Sequence, residues 1–140
     1  MTCIAWDGKT LAADRQGTSD SIAIPVTKIH RIPSGAIIAS AGSLERGLDL
    51  KRWYQEGSNP EKWPAYQKDD DWNDLIVVDH GKIFHYEKLP VPQPVESKFM
   101  AWGSGRDIAM GAMAMGADAR KAVSICQPTL CRMWGRHRFI

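Results

Sequence analysis

Thr2-Cys3-Ile4-Ala5-Trp6-Asp7-Gly8-Lys9-Thr10-Leu11-Ala12-Ala13-Asp14 reads as strand, turn and strand. Cys3 to Trp6 is an apolar run of strand length, and Asp7-Gly8 is a strong hairpin turn signal. Thr10 to Ala13 returns as a second strand that stops at Asp14-Arg15. Beyond it, Ser21-Ile22-Ala23-Ile24 and Lys28-Ile29-His30-Arg31-Ile32 alternate with period two, the pattern of half-buried strands. Pro33-Ser34-Gly35 turns the chain into Ala36-Ile37-Ile38-Ala39-Ser40-Ala41, which reads as a buried strand of small residues. Gly42-Ser43 closes that strand, with Ser43 suited to cap a helix.

The helix runs from Leu44 to about Glu56, with Leu44, Leu48, Trp53 and Tyr54 on one face, and Gly57-Ser58-Asn59-Pro60 ends it. Residues 58–72 have no assignable element, and Asp69-Asp70-Asp71 reads as a solvated loop. Leu75 to Val78, Asp79-His80-Gly81-Lys82 and Ile83 to Tyr86 make a hairpin flanked by His80 and His85, both expected at the surface. Pro90, Pro92 and Pro94 make a stiff connection to another strand, Phe99 to Trp102. After Gly103-Ser104-Gly105, the Ala- and Met-rich stretch from Arg106 to about Ile125 is helical, and Gly111 and Gly116 either break it or allow close packing. Strands first, then helix, hairpin, strand and helix argue for antiparallel sheets covered by helices, an α+β class, with no internal repeat.

Composition narrows the function classes. The chain has 140 residues, 44% hydrophobic and 24% charged, which is one domain's worth of globular sequence. A formal charge of +2 is too even to imply a nucleic-acid or membrane partner. There is no 18-residue apolar run and no signal-peptide pattern, and three cysteines without framework spacing fit free thiols in a reducing compartment. A soluble cytoplasmic protein is expected. Cys126, Cys131 and His137 match no tight zinc spacing and lack a fourth ligand, so no metal is expected. The Met110/Met113 stripe reads as core, and Gly103-Ser104-Gly105 lacks the Gly-Lys-Ser/Thr of a phosphate loop.

Thr2 stands directly behind Met1, and a small second residue permits removal of the methionine. A terminal threonine carries nucleophile and base in one residue: the hydroxyl attacks and the α-amine, with a reference pKa of about 7.7–8.0, takes its proton. The pattern around it resembles the opening of proteasome β-type subunits and HslV-type peptidases, which are N-terminal-nucleophile (Ntn) hydrolases. These proteins share a Thr, a strand, a turn, a strand ending in small residues and Asp, and a strand beginning at Lys. A small-residue strand ending in Gly and a helix follow. Asp14, Lys28 and Gly42 occupy the matching places. Gly103-Ser104-Gly105 resembles the family's Gly-Ser-Gly, and Ile108 to Val123 its following helix pair, so the resemblance covers about residues 2–123.

The resemblance implies a four-layer αββα sandwich and threonine-type peptide-bond hydrolysis. It makes Thr2, Asp14, Lys28 and Ser104 catalytic and the Gly42 N–H the oxyanion donor, with no cofactor. It further implies a peptide or unfolded-protein substrate, a homo-oligomeric ring and an ATPase partner, with no nucleic acid and no membrane. Taken singly, Asp14-Arg15 also reads as a turn pair, Lys28 as an exposed strand lysine and Gly42 as a turn glycine. The alternative function is a catalytically inactive structural or interaction subunit of the same fold. A nucleic-acid binder using Arg132, Arg136, His137 and Arg138 rests only on a short basic tail.

After Val123 the resemblance stops. Residues 1–125 form the Ntn-type domain and 126–140 an atypical tail, in which Pro128 is expected to end the helix early. The family's Gly-Gly-Gly-Ile-Asp-like segment is missing. Reading the codons of Met133-Trp134-Gly135 one nucleotide later forces Cys-Gly, and the shifted codons through Phe139 permit Gly-Gly-Ile-Asp. The expectation is a frameshifted tail that lacks the fold's last strands.

Overall fold

The computed structural model describes residues 2–19, 21–65 and 73–130. The first half contains β1 (Ile4–Trp6), β2 (Leu11–Ala13), β3 (Gln16–Ser19), β4 (Ile22–Pro25), β5 (Ile29–Arg31), β6 (Ile37–Ala41) and α1 (Leu44–Gln55). A short 3-10 turn at Pro60–Lys62 precedes β7 (Asp74–Asp79), β8 (Lys82–Tyr86), β9 (Gln93–Pro94), β10 (Met100–Trp102), α2 (Arg106–Ala114) and α3 (Ala119–Leu130). The chain divides into two compact units, Met1–Lys28 with Ser97–Ile140, and Ile29–Glu96.

In the first unit, β1 pairs antiparallel with β2, Ile4 opposite Ala13, and with β10 on its other side. Asp7 does more than turn the hairpin. Its Oδ1 accepts the N–H groups of Lys9 (2.9 Å) and Thr10 (2.8 Å), and its Oδ2 accepts Ala119 N–H at 2.9 Å, at the start of α3. Burial raises the Asp7 carboxyl, but the N–H donors outweigh it and hold the group below the usual aspartate value. Ala5, Ala12, Ala101, Ala109, Ala119 and Ala122 form a core of small side chains with Cys3, Met113, Val123 and Cys126, so α2 and α3 lie close on the sheet.

One reading left open is decided here, and two expectations change. The stretch from Arg106 to Ile125 is two helices, broken after Ala114 by a turn in which Gly116 takes φ +101°. The second helix is described to Leu130, so Pro128 does not stop it; a proline removes one N–H from the ladder and leaves the hydrogen bonds of the preceding turns in place. Ile22 and Ile24 are not half-buried: among the described residues their strand pairs with β3 alone, and they are 63% and 38% exposed. Residues 131–140, where the shifted-frame segment would lie, are outside the described residues.

The second unit is a five-stranded antiparallel sheet in the order β5-β6-β7-β8-β9. The β7–β8 turn forms as the sequence indicates, with His80 at φ +50° and Gly81 at φ +74°, the pair of positive values that a two-residue hairpin needs. Pro94 is tolerated because β9 is an edge strand. Ser43 caps α1, its side chain accepting Arg46 N–H. The helix buries Gly47, Leu50 and Trp53, whereas Leu44 and Leu48 are about half exposed, so the apolar stripe lies elsewhere on the helix than the sequence suggests. Gly47 is the reason for the shift: a Cβ there would lie 2.1 Å from Ser40 Oγ, so a side chain-free position faces β6. Trp53, Trp63 and Tyr86 make edge and stacked contacts, and Trp63 Nε1 donates to Lys88 O, which fixes the segment after Pro60 that the sequence leaves unassigned.

His80 is exposed, as expected, but His85 is not: its side chain is 13% exposed and its Nε2 contacts Asp74 Oδ1. Asp69 to Asp71 lie outside the described residues. No helix among the described residues is long and apolar enough to cross a membrane.

Candidate active site

The ladder of the first unit builds the site. With Ile4 opposite Ala13, the next residues outward are Cys3 and Asp14, and Asp14 N–H donates to Cys3 O at 3.1 Å. Cys3 N–H returns a bond to Asp14 Oδ1 at 2.8 Å. Thr2 therefore leaves the sheet end beside a carboxylate that is fully buried. Lys28 comes to the same carboxylate, its Nζ donating to Oδ1 at 2.9 Å and Oδ2 at 2.8 Å. Gln16 N–H adds a bond to Oδ2 at 3.0 Å. A charge this deeply buried needs such compensation, and every donor here points at Asp14.

Lys28 Nζ also donates to Thr2 Oγ1 at 3.1 Å. Burial lowers the Lys28 ammonium below the ordinary lysine value, against the opposing pull of Asp14. The hydroxyl thus faces a cation whose charge is balanced from behind. On the other side Thr2 N–H donates to Ser104 Oγ at 3.2 Å. The two glycines of the Gly-Ser-Gly loop have steric reasons. Gly103 sits at φ +95°, where a Cβ would lie 2.3 Å from Thr2 O. Gly105 donates its N–H to Thr2 O at 3.0 Å, and a Cβ on it would lie 2.1 Å from Cys126 Sγ. The loop wraps Thr2 closely because two of its three residues have no side chain.

Thr2, Asp14, Lys28 and Ser104 are therefore brought together within one unit. Gly42 belongs to the other unit, at the end of β6, with φ +121°, a value that L side chains rarely adopt. The residue after it is clamped: Asn73 Oδ1 accepts Ser43 N–H at 2.9 Å and Asn73 Nδ2 donates to Ser43 O at 3.1 Å. Asn73 is fully buried, and sequence reasoning misses it. Its signal was an Asn directly before a strong strand, a position as easily read as a loop end. The Cys3–Cys126 contact was likewise missed. Cys126 packs in the core of the first unit beside Cys3, whose thiol is pushed up by its bond to Cys126 and by burial, and so stays neutral. Cys131 and His137, weighed with Cys126 as metal ligands, lie outside the described residues.

Sequence comparison finds no matching family model and no matching curated protein. Structure comparison finds close neighbours. The crystal structure of eukaryotic HslV from Trypanosoma brucei superposes with a TM-score of 0.68 at 21% identity, over 100% of this chain and 98% of that one. The chain has the HslV fold. BPH from Thiobacillus denitrificans matches with a TM-score of 0.63 at 18% identity, over 99% of this chain and 95% of that one. The same BPH in complex with epoxomicin matches at 0.63 and 17% identity, over 99% and 96%. The α+β, HslV-type expectation for the fold therefore holds, and at these identities the likeness concerns the fold.

Proposed function

We propose that this chain is a threonine-type peptidase that begins, after removal of Met1, at Thr2. The observation that carries the reading is the hydrogen bond from Lys28 Nζ to Thr2 Oγ1 at 3.1 Å, with Asp14 holding the ammonium from behind. An ammonium there stabilises negative charge developing on the hydroxyl oxygen and keeps a neighbouring amine neutral. In the reaction, Thr2 Oγ1 attacks the scissile carbonyl and its proton passes to the freed Thr2 amine. The resemblance to Ntn hydrolases assigns the oxyanion donor to the Gly42 N–H, and one such donor contributes about 3–4 kcal/mol. Collapse expels the leaving amine, which takes the proton from the Thr2 amine, and leaves an ester on Thr2. Water, deprotonated by the same amine, hydrolyses that ester. Ser104, bonded to Thr2 N, orients the amine and relays its proton.

The substrate on this reading is a peptide or an unfolded protein. The working form on this reading is a homo-oligomeric ring, which the HslV-like fold supports; the reading adds an ATPase that feeds it and a place in the cytoplasm. One neighbour of the same fold binds epoxomicin, which makes that compound a suitable probe. Intact-mass analysis should show a chain without Met1, and incubation with epoxomicin should add one equivalent that maps to Thr2. Thr2→Ala should neither cleave peptides nor be labelled. A preparation that retains Met1 quantitatively and still cleaves would overturn the reading, since a blocked amine cannot act as the base.

A further inference from the structure

Asp74, His85 and Glu87 come together on the second unit, remote in sequence from any residue given a catalytic role. The register of β7 and β8 sets Ile76 opposite His85 and Leu75 opposite Tyr86. Continued by one residue, it puts Glu87 opposite Asp74. His85 and Glu87 are two apart along one strand and Asp74 lies across from them, so strand alternation sends all three side chains to one face. An imidazole nitrogen and one oxygen from each carboxylate lie within 4.8 Å of one another. Asp74 is only 1% exposed: its Oδ1 contacts His85 Nε2, and its Oδ2 has no hydrogen-bond partner among the described residues. A buried carboxylate oxygen without a donor is unusual in a folded chain, and here it belongs to a group that already touches a metal-competent nitrogen.

We propose that Asp74, His85 and Glu87 bind a first-row divalent metal ion, with Zn2+ favoured by the donor set. Ligand distances of about 2.0–2.2 Å put the donors around one zinc ion within about 4.4 Å of each other, so side-chain rotation closes the present cluster onto an ion. One imidazole with carboxylates selects a transition metal over Mg2+ or Ca2+, which prefer oxygen alone. Glu87 is exposed and opens the site to solvent, so an ion can enter from that side and a water molecule can fill the fourth position. The ion would supply Asp74 Oδ2 with the partner it lacks and would join the start of β7 to the end of β8. This site does not depend on the peptidase reading.

The test uses the untagged full chain, freed of metal by chelation. Co2+ titration should reach one equivalent with the visible absorption of a tetrahedral N/O site, and Zn2+ should displace it while Mg2+ and Ca2+ do not. Glu87→Gln, a surface change that leaves the core untouched, should weaken Co2+ binding by about tenfold or more. His85→Gln should abolish it. Zn2+ should raise the melting temperature of the wild type and leave that of His85→Gln unchanged. His80→Gln and the Cys131→Ser/His137→Gln double variant should bind like wild type. Absence of binding, equal binding by Glu87→Gln and wild type, or loss of binding in either control would overturn the proposal.

Discussion

Asp14→Asn isolates the charge that holds the site together. The side chain keeps its size and can still accept Cys3 N–H, but the negative partner of Lys28 is gone, and Lys28 is itself only 8% exposed. Breaking a buried pair while leaving one charge behind costs about 3–5 kcal/mol, which is a large part of a domain's total of about 5–15 kcal/mol. The pH dependence gives the prediction its second edge. Asp14 is the main group that raises the Lys28 proton affinity, and burial is what lowers it. With Asp14 neutralised, burial acts almost alone, and the folded-state value for Lys28 falls further below the unfolded value of about 10.4. The penalty is then fully present below the folded value. It is relieved as the pH rises through that value toward the unfolded one, because the folded chain releases a proton that the unfolded chain still binds. Urea denaturation from pH 7 to pH 10 should therefore show the variant recovering stability relative to wild type. Asp14→Asn/Lys28→Met, which removes both charges, should recover most of the loss at pH 7. A cost under about 1 kcal/mol, or a double variant no better than the single, would refute a compensated buried pair.

Gly105→Ala should cost about 1–3 kcal/mol by overpacking, since its Cβ would lie 2.1 Å from Cys126 Sγ; adding Cys126→Ala should return part of the lost denaturation midpoint. Asn73→Ala removes the partner of the Ser43 N–H, while Ser43 O keeps Gly47 N–H at 2.9 Å, so the cost should be about 1 kcal/mol; on the proposed function kcat should fall more than KM rises, because Ser43 follows the glycine that the proposal makes the oxyanion donor. The pH–rate profile should rise with deprotonation of the Thr2 amine. Its alkaline limb should come below the ordinary lysine value of 10.5, since burial lowers Lys28; a limb at or above that value would refute a burial-lowered Lys28 as the group that sets it.

The fold was legible where local chemistry decides it. Asp7-Gly8 and His80-Gly81 specify their hairpins through backbone conformations that few residues supply, and Ser43 caps α1 through its own oxygen. It was illegible where tertiary contact decides. Leu44 and Leu48 look like a buried stripe in any helical projection, yet α1 turns Gly47 to the sheet because the backbone comes too near Ser40 for a side chain. Composition points to the larger apolar residues, and close approach selects the smallest one. Likewise Ile22 and Ile24 alternate like core positions, yet they lie on a two-stranded hairpin and stay 63% and 38% exposed.

The site shows the same division. Thr2, Asp14, Lys28 and Ser104 could be named because the order of strands and loops around them resembles that of Ntn hydrolases; taken singly, Asp14 and Lys28 read as ordinary turn and surface residues. Once Ile4 stands opposite Ala13, Cys3 must face Asp14, and Thr2 must come next. Asn73 gave no such sign, because its partner is the backbone of Ser43, thirty residues away, and a side chain-to-backbone clamp leaves no trace in periodicity or charge. Its position follows from register alone: Ala41 pairs with Asp74, so Asn73 is the residue that meets the chain as it leaves β6. The buried charges of Asp14 and Lys28 need each other as partners, and the family pattern around them marks that pair. Neutral clamps on the backbone appear only when the sheet is assembled, and the loop carrying Gly42 depends on one of them.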